Sequence, residues 1–115
     1  MGLSVVQIKV LEEYWQKHKE YRRLLDARES EIKPKERAND NHYNFLKDLV
    51  QALDHVKQEA DSDLNSFIEV RYTSEDAFYV DWDDVSEILA ISKSKAYKLR
   101  VKLMNLTAKK LGWIV

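Results

Sequence analysis

Asp81 to Leu103, DWDDVSEILAISKSKAYKLRVKL, carries the reading of this chain. Asp81 is placed to accept hydrogen bonds from the free N–H groups of a helix opening at Trp82, and Asp83 and Asp84 lie near the positive end of that helix dipole. Trp82, Val85, Ile88 and Leu89 then recur at helical spacing. Ile91 fills a three-residue turn, Ser92 caps a second helix, and Ala96, Leu99 and Leu103 form its apolar stripe. Two helices, a tight turn and a basic second helix have the layout of a DNA-reading helix-turn-helix over 81–103.

Charge supports that layout. Ser92 to Val115 holds seven basic residues and no acid, whereas Ala38 to Ile91 holds thirteen acids against three bases. The formal net charge of −1 therefore conceals two opposed regions. On a wheel centred on Ala96, Leu99 and Leu103, Ser94 and Lys98 lie farthest from the core and are the candidates for base edges. Ser92, Lys93 and Lys95 lead the same helix, and Arg100 and Lys102 on its flanks suit phosphate contacts. Tyr97 has two readings: a stack on sugar or base, or a cover for the edge of the core. Lys109 and Lys110 lie past the motif, and solvation and a DNA role stay equally open for them.

Upstream, Ser4 and Gln7 have capping-box spacing, and Leu11, Tyr14, His18, Tyr21, Leu25, Arg28 and Ile32 follow at alternating steps of three and four. The spacing predicts one helix of nearly thirty residues, occupying 1–33, whose stripe either packs on its own domain or pairs with another molecule as a homo-oligomer. Pro34 opens a polar stretch, PKERANDN, read as the linker to a second unit over 34–115. There Phe45, Leu46, Leu49, Val50, Leu53, Val56 and Ala60 mark a helix from about Asn41 to Ala60. Asp61 or Ser62 caps a shorter one bearing Leu64, Phe67, Ile68, Arg71 and Tyr72. The pattern breaks from Thr73 to Val80. The expected fold is all-α: a long N-terminal helix, then a helical bundle ending in the helix-turn-helix.

Other chemistry has little support. With 115 residues, 44% hydrophobic and 34% charged, the chain has the composition of one helical domain. It contains no cysteine, so thiolate and Cys–zinc chemistry are excluded. His18, His42 and His55 lack the close spacing of a metal pair on one helix. Asp81, Asp83 and Asp84 lack the glycine and distant glutamate of a calcium loop, for Ser86 and Ser92 stand at those offsets. Glycine occurs only at Gly2 and Gly112, which excludes phosphate-cradling glycine loops. The chain is thus expected to be no enzyme, to use no cofactor or metal, and, with no apolar run beyond four residues, to have no membrane partner and to be cytoplasmic.

The segment WDDVSEILAISKSKAYKLRVKL, preceded by FIEVRY, resembles the sigma-factor-like helix-turn-helix of the RinA and ArpU group of phage late-transcription activators. LEEYWQKHKEYRRLLDARESEI is similar to the long Tyr- and Leu-bearing first helix of RinA-type proteins, so the resemblance spans nearly the whole chain. It implies a phage- or prophage-encoded activator in a bacterial host, acting on double-stranded promoter DNA and host RNA polymerase. By position, Ser92, Lys93, Ser94, Lys95 and Lys98 match its recognition-helix residues. Two departures stand out. Ala90 replaces a usual Gly, which implies strain of order 1 kcal/mol if the backbone there is left-handed. TSEDAFYVD is longer and more acidic than the family's tight turn, with Phe78 and Val80 placed to fold back over the bundle. Two other functions compete: a small-terminase-like packaging component, whose motif order would be reversed here, and a protein-interaction bundle that binds no DNA.

Overall fold

The computed structural model describes residues 2–75, 77 and 80–113. Among them every regular element is helical. The order is α1 (Val5–Gln16), α2 (His18–Glu31), a 3₁₀ turn (Pro34–Asn39), α3 (Asn41–Glu59), α4 (Ser62–Ile68) running into a π-helical turn (Glu69–Thr73), α5 (Trp82–Leu89) and α6 (Lys93–Lys110). The molecule is elongated, 50 × 34 × 24 Å.

The caps expected at Ser4, Asp61 and Asp81 form, and Asp40 supplies a further one. Ser4 and Gln7 close a reciprocal capping box on α1, and Asp81 and Asp84 do the same on α5. Asp40 and Asp61 accept from the backbone N–H groups of Tyr43 and Leu64 to open α3 and α4. Each satisfies a donor that the first helical turn leaves without a partner.

The expected single N-terminal helix is two. It breaks at Lys17 (φ −104°, ψ 16°), where neither proline nor glycine stands. Tertiary packing is therefore the cause. The α1 half addresses α6 and the π turn, the α2 half addresses α3, and one straight rod would not seat both. Leu11 and Trp15 are completely buried in the main core, with Leu53, Val56, Phe67, Val85, Leu103 and Met104 among their companions. Leu25 belongs to a separate, smaller cluster with Tyr43, Leu46 and Val50.

That second cluster holds α2 and α3 together as an antiparallel hairpin. His18 and Arg22 meet Asp54 at one end, while Tyr43 donates its hydroxyl to Glu29 (3.0 Å) and Arg28 pairs with Asp40 (2.5 Å) at the other. The PKERANDN stretch is not a free linker. Pro34 starts a 3₁₀ turn, a position where its missing N–H costs nothing, and Arg37 ties that turn to the Glu29 carbonyl (3.1 Å).

Two expected core residues lie outside. Phe45 is 48% exposed, its ring set edge-to-face with Tyr14 at 6.4 Å between centres, and Ile88 is 59% exposed on the outer side of α5. Each falls at the rim of its helical stripe, where spacing alone does not separate inside from outside. Val80 packs half-buried on the main core, and Phe78 lies outside the described residues.

Candidate nucleic-acid interface

The α5–α6 turn is built from backbone hydrogen bonds. Ile91 N–H reaches the Ser86 carbonyl (3.0 Å) and Ala90 N–H the Glu87 carbonyl (3.2 Å), the paired bonds of a Schellman motif. This geometry requires a left-handed residue, and Ala90 supplies it at φ 55°, ψ 44°. It is the one described non-glycine residue with positive φ. Ser92 then caps α6 by accepting from Lys95 N–H (3.1 Å).

The inner side of α6 is fixed by packing. Ala96, Leu103, Met104, Thr107 and Ala108 are buried, and Leu99 is half-buried on the same core. Thr107 carries a buried polar link: its hydroxyl donates to the Leu103 carbonyl (2.7 Å) and accepts from the Trp15 indole N–H (3.0 Å). Trp15, absent from the predicted stripe, thus helps to pin α1 to α6. Its position one step from Tyr14 and four from Leu11 was the available signal.

On the outer side, Ser94, Tyr97, Lys98 and Val101 line a single open depression. Their spacing of three, four and seven places them along one face of the first turns of α6. Ser94 and Lys98 are exposed there, as the wheel required. Val101 was not singled out, although it stands three residues from Lys98; it is 52% exposed. Tyr97 covers structure with one ring face and leaves the rest open. Its ring stacks on Trp82 (5.2 Å, 15°) and is still 48% exposed. Trp82 in turn stacks on buried Phe67 (6.0 Å, 24°), so an aromatic ladder runs from the core to the outer face of α6.

The basic residues divide. Arg100, expected on a phosphate, is turned inward: it pairs with Glu12 of α1, and its guanidinium lies 5.4 Å from the Trp82 ring centre. Tyr72 donates to the other Glu12 oxygen (2.8 Å), and burial first, then Glu12, pushes its phenol far above the ordinary range. Lys93, Lys95 and Lys102 are exposed but lie beside carboxylates, at 2.5 Å from Asp83, 3.5 Å from Asp63 and 3.3 Å from Asp61. Lys110 pairs with Glu59 (2.5 Å). Among the described residues, only Lys98 and Lys109 of the seven bases have no acid partner. Lys98 is the one of these two within the depression.

Among the described residues there is no cluster of metal-ligating side chains, and no helix long and apolar enough to cross a membrane. No family model, curated protein or solved structure matches the chain.

Proposed function

We propose that this chain is a sequence-specific DNA-binding protein that lays the first turns of α6 in the major groove and activates phage or prophage late genes. The observation that carries the reading is the Ser94, Tyr97, Lys98, Val101 face: exposed, contiguous, and backed by a buried side that holds the helix rigid. The left-handed turn at Ala90 and the Ser92 cap before α6 support reading α5 and α6 as a helix-turn-helix. Ser94 and Lys98 address base edges. Tyr97 and Val101 offer apolar contact to a thymine methyl group. Lys93, Lys95 and Lys102 reach phosphates, which add affinity without sequence information. Arg100 has no part in this surface, because it closes the α1–α6 contact.

The step from DNA binding to late-gene activation, and the partnership with host RNA polymerase, rest on the resemblance to the RinA and ArpU group. The test is selection of bound duplexes from a random pool, followed by a salt titration on the enriched sequence. A shared motif and an affinity falling by roughly 0.9 log units per log unit of salt for each phosphate contact are expected. Failure to retain any duplex at low salt would refute the proposal and leave the outer α6 face to a protein partner.

A further inference from the structure

Three of the lysines that would meet phosphates are already engaged by the chain's own carboxylates. Lys93 lies on Asp83 of α5, Lys95 on Asp63 of α4, and Lys102 on Asp61, which also caps α4. All six groups are at least half exposed. Such pairs are weak, because solvent screens them and two long side chains must be held in place. They are therefore exchangeable. A phosphate arriving at Lys93 or Lys95 must displace a carboxylate and then sit close to it, and like charges at an interface oppose association.

We infer that Asp63 and Asp83 are built-in competitors of DNA phosphate that raise the threshold for binding duplex of arbitrary sequence. This regulation of the outer α6 face rests on the DNA-binding reading above. Lys98, which has no acid partner among the described residues, stays available to a base edge throughout. A duplex that offers only phosphates gains little from the exchange, whereas one that also engages Ser94 and Lys98 gains enough to complete it. The acid-rich stretch between Ala38 and Ile91 thereby acquires a role: parts of it are carried by α4 and α5 to the lysines they face.

The test is the double variant Asp63→Asn/Asp83→Asn in the full chain. Neither residue makes the capping hydrogen bond of its helix, which Asp61 and Asp81 make, so the folded state should persist and a thermal melt will verify it. Affinity for a random-sequence duplex near physiological salt should rise roughly tenfold, and the gain should shrink as salt rises and screens both groups. A control with the same change in net charge, Asp26→Asn/Asp48→Asn on the α2–α3 hairpin, should move that affinity by less than about twofold. Random-duplex affinity that is unchanged in the α4–α5 variant, or equally raised in the hairpin control, overturns the inference while the DNA-binding reading survives if the unmodified chain binds its selected site. If the unmodified chain binds only its selected site while the double variant also binds random duplex, the inference holds in its strongest form. If neither binds, both fall.

Discussion

Replacing Ala90 by glycine should make the protein more stable, and the size of the gain follows from the geometry. Ala90 sits at φ 55°, ψ 44°, where an L residue with a Cβ is disfavoured by about 1–2 kcal/mol. Glycine reaches the same conformation freely but loses roughly 0.5–1 kcal/mol more chain entropy on folding. The Ala90 side chain is exposed, so deleting its methyl removes no packing. The difference is a gain of about 0.5–1 kcal/mol, equivalent to a rise in Tm of roughly 2–6 °C. The end of α6 provides an internal comparison. There Gly112 (φ 76°) and Trp113 form the same pair of bonds, to Lys109 (3.1 Å) and Ala108 (2.9 Å), with glycine in the left-handed position. A Cβ added at Gly112 would meet nothing within 4 Å, so Gly112→Ala should lose stability through the backbone alone. Urea titrations followed by circular dichroism and by tryptophan fluorescence would measure both changes. A loss of more than about 0.5 kcal/mol in Ala90→Gly, at unchanged urea slope, would refute the left-handed assignment and the turn built on it.

Thr107→Val keeps the shape of the side chain but leaves the buried Trp15 indole N–H without an acceptor, and should cost about 1–3 kcal/mol in the same titration, with Thr107→Ser recovering part of it. Glu12→Gln removes the charge that Arg100 and Tyr72 share between α1 and α6; a loss of about 1–3 kcal/mol is expected, and no loss would show that the network is idle. Burial, working against the nearby Asp54, lowers the His18 pKa. The unfolded chain therefore takes up this proton first as pH falls below about 6.5, so His18 withdraws stability from there down to its folded pKa and no further below it. Urea midpoints across that range, compared with those of His18→Gln, should show a limb that flattens in the variant.

Much of this fold was legible because its signals were local. Caps at Ser4, Asp61, Asp81 and Ser92 combine a side-chain acceptor with the right offset, and their helices begin accordingly. What escaped is what distant partners decide. The break at Lys17 has no breaker residue, because it is imposed by α1 and α2 docking on different neighbours. Arg100 looked like a flank cation on the wheel, but Glu12, eighty-eight positions away, draws it inward. The same holds for the lysine–carboxylate pairs across α4, α5 and α6: the charge asymmetry was plain in the chain, while its local cancellation required the fold. Ser94 and Lys98 needed only helical geometry, and they stand on the outer face of α6.

The most direct test of the account is the affinity of Lys98→Ala for its selected duplex and for random DNA, measured side by side at one salt concentration. If Lys98 reads a base edge from the outer face of α6, the variant should lose about 1–3 kcal/mol on the selected site and much less on random sequence. Equal losses on both would make Lys98 a backbone contact, and no loss on either would contradict the claim that this face meets DNA.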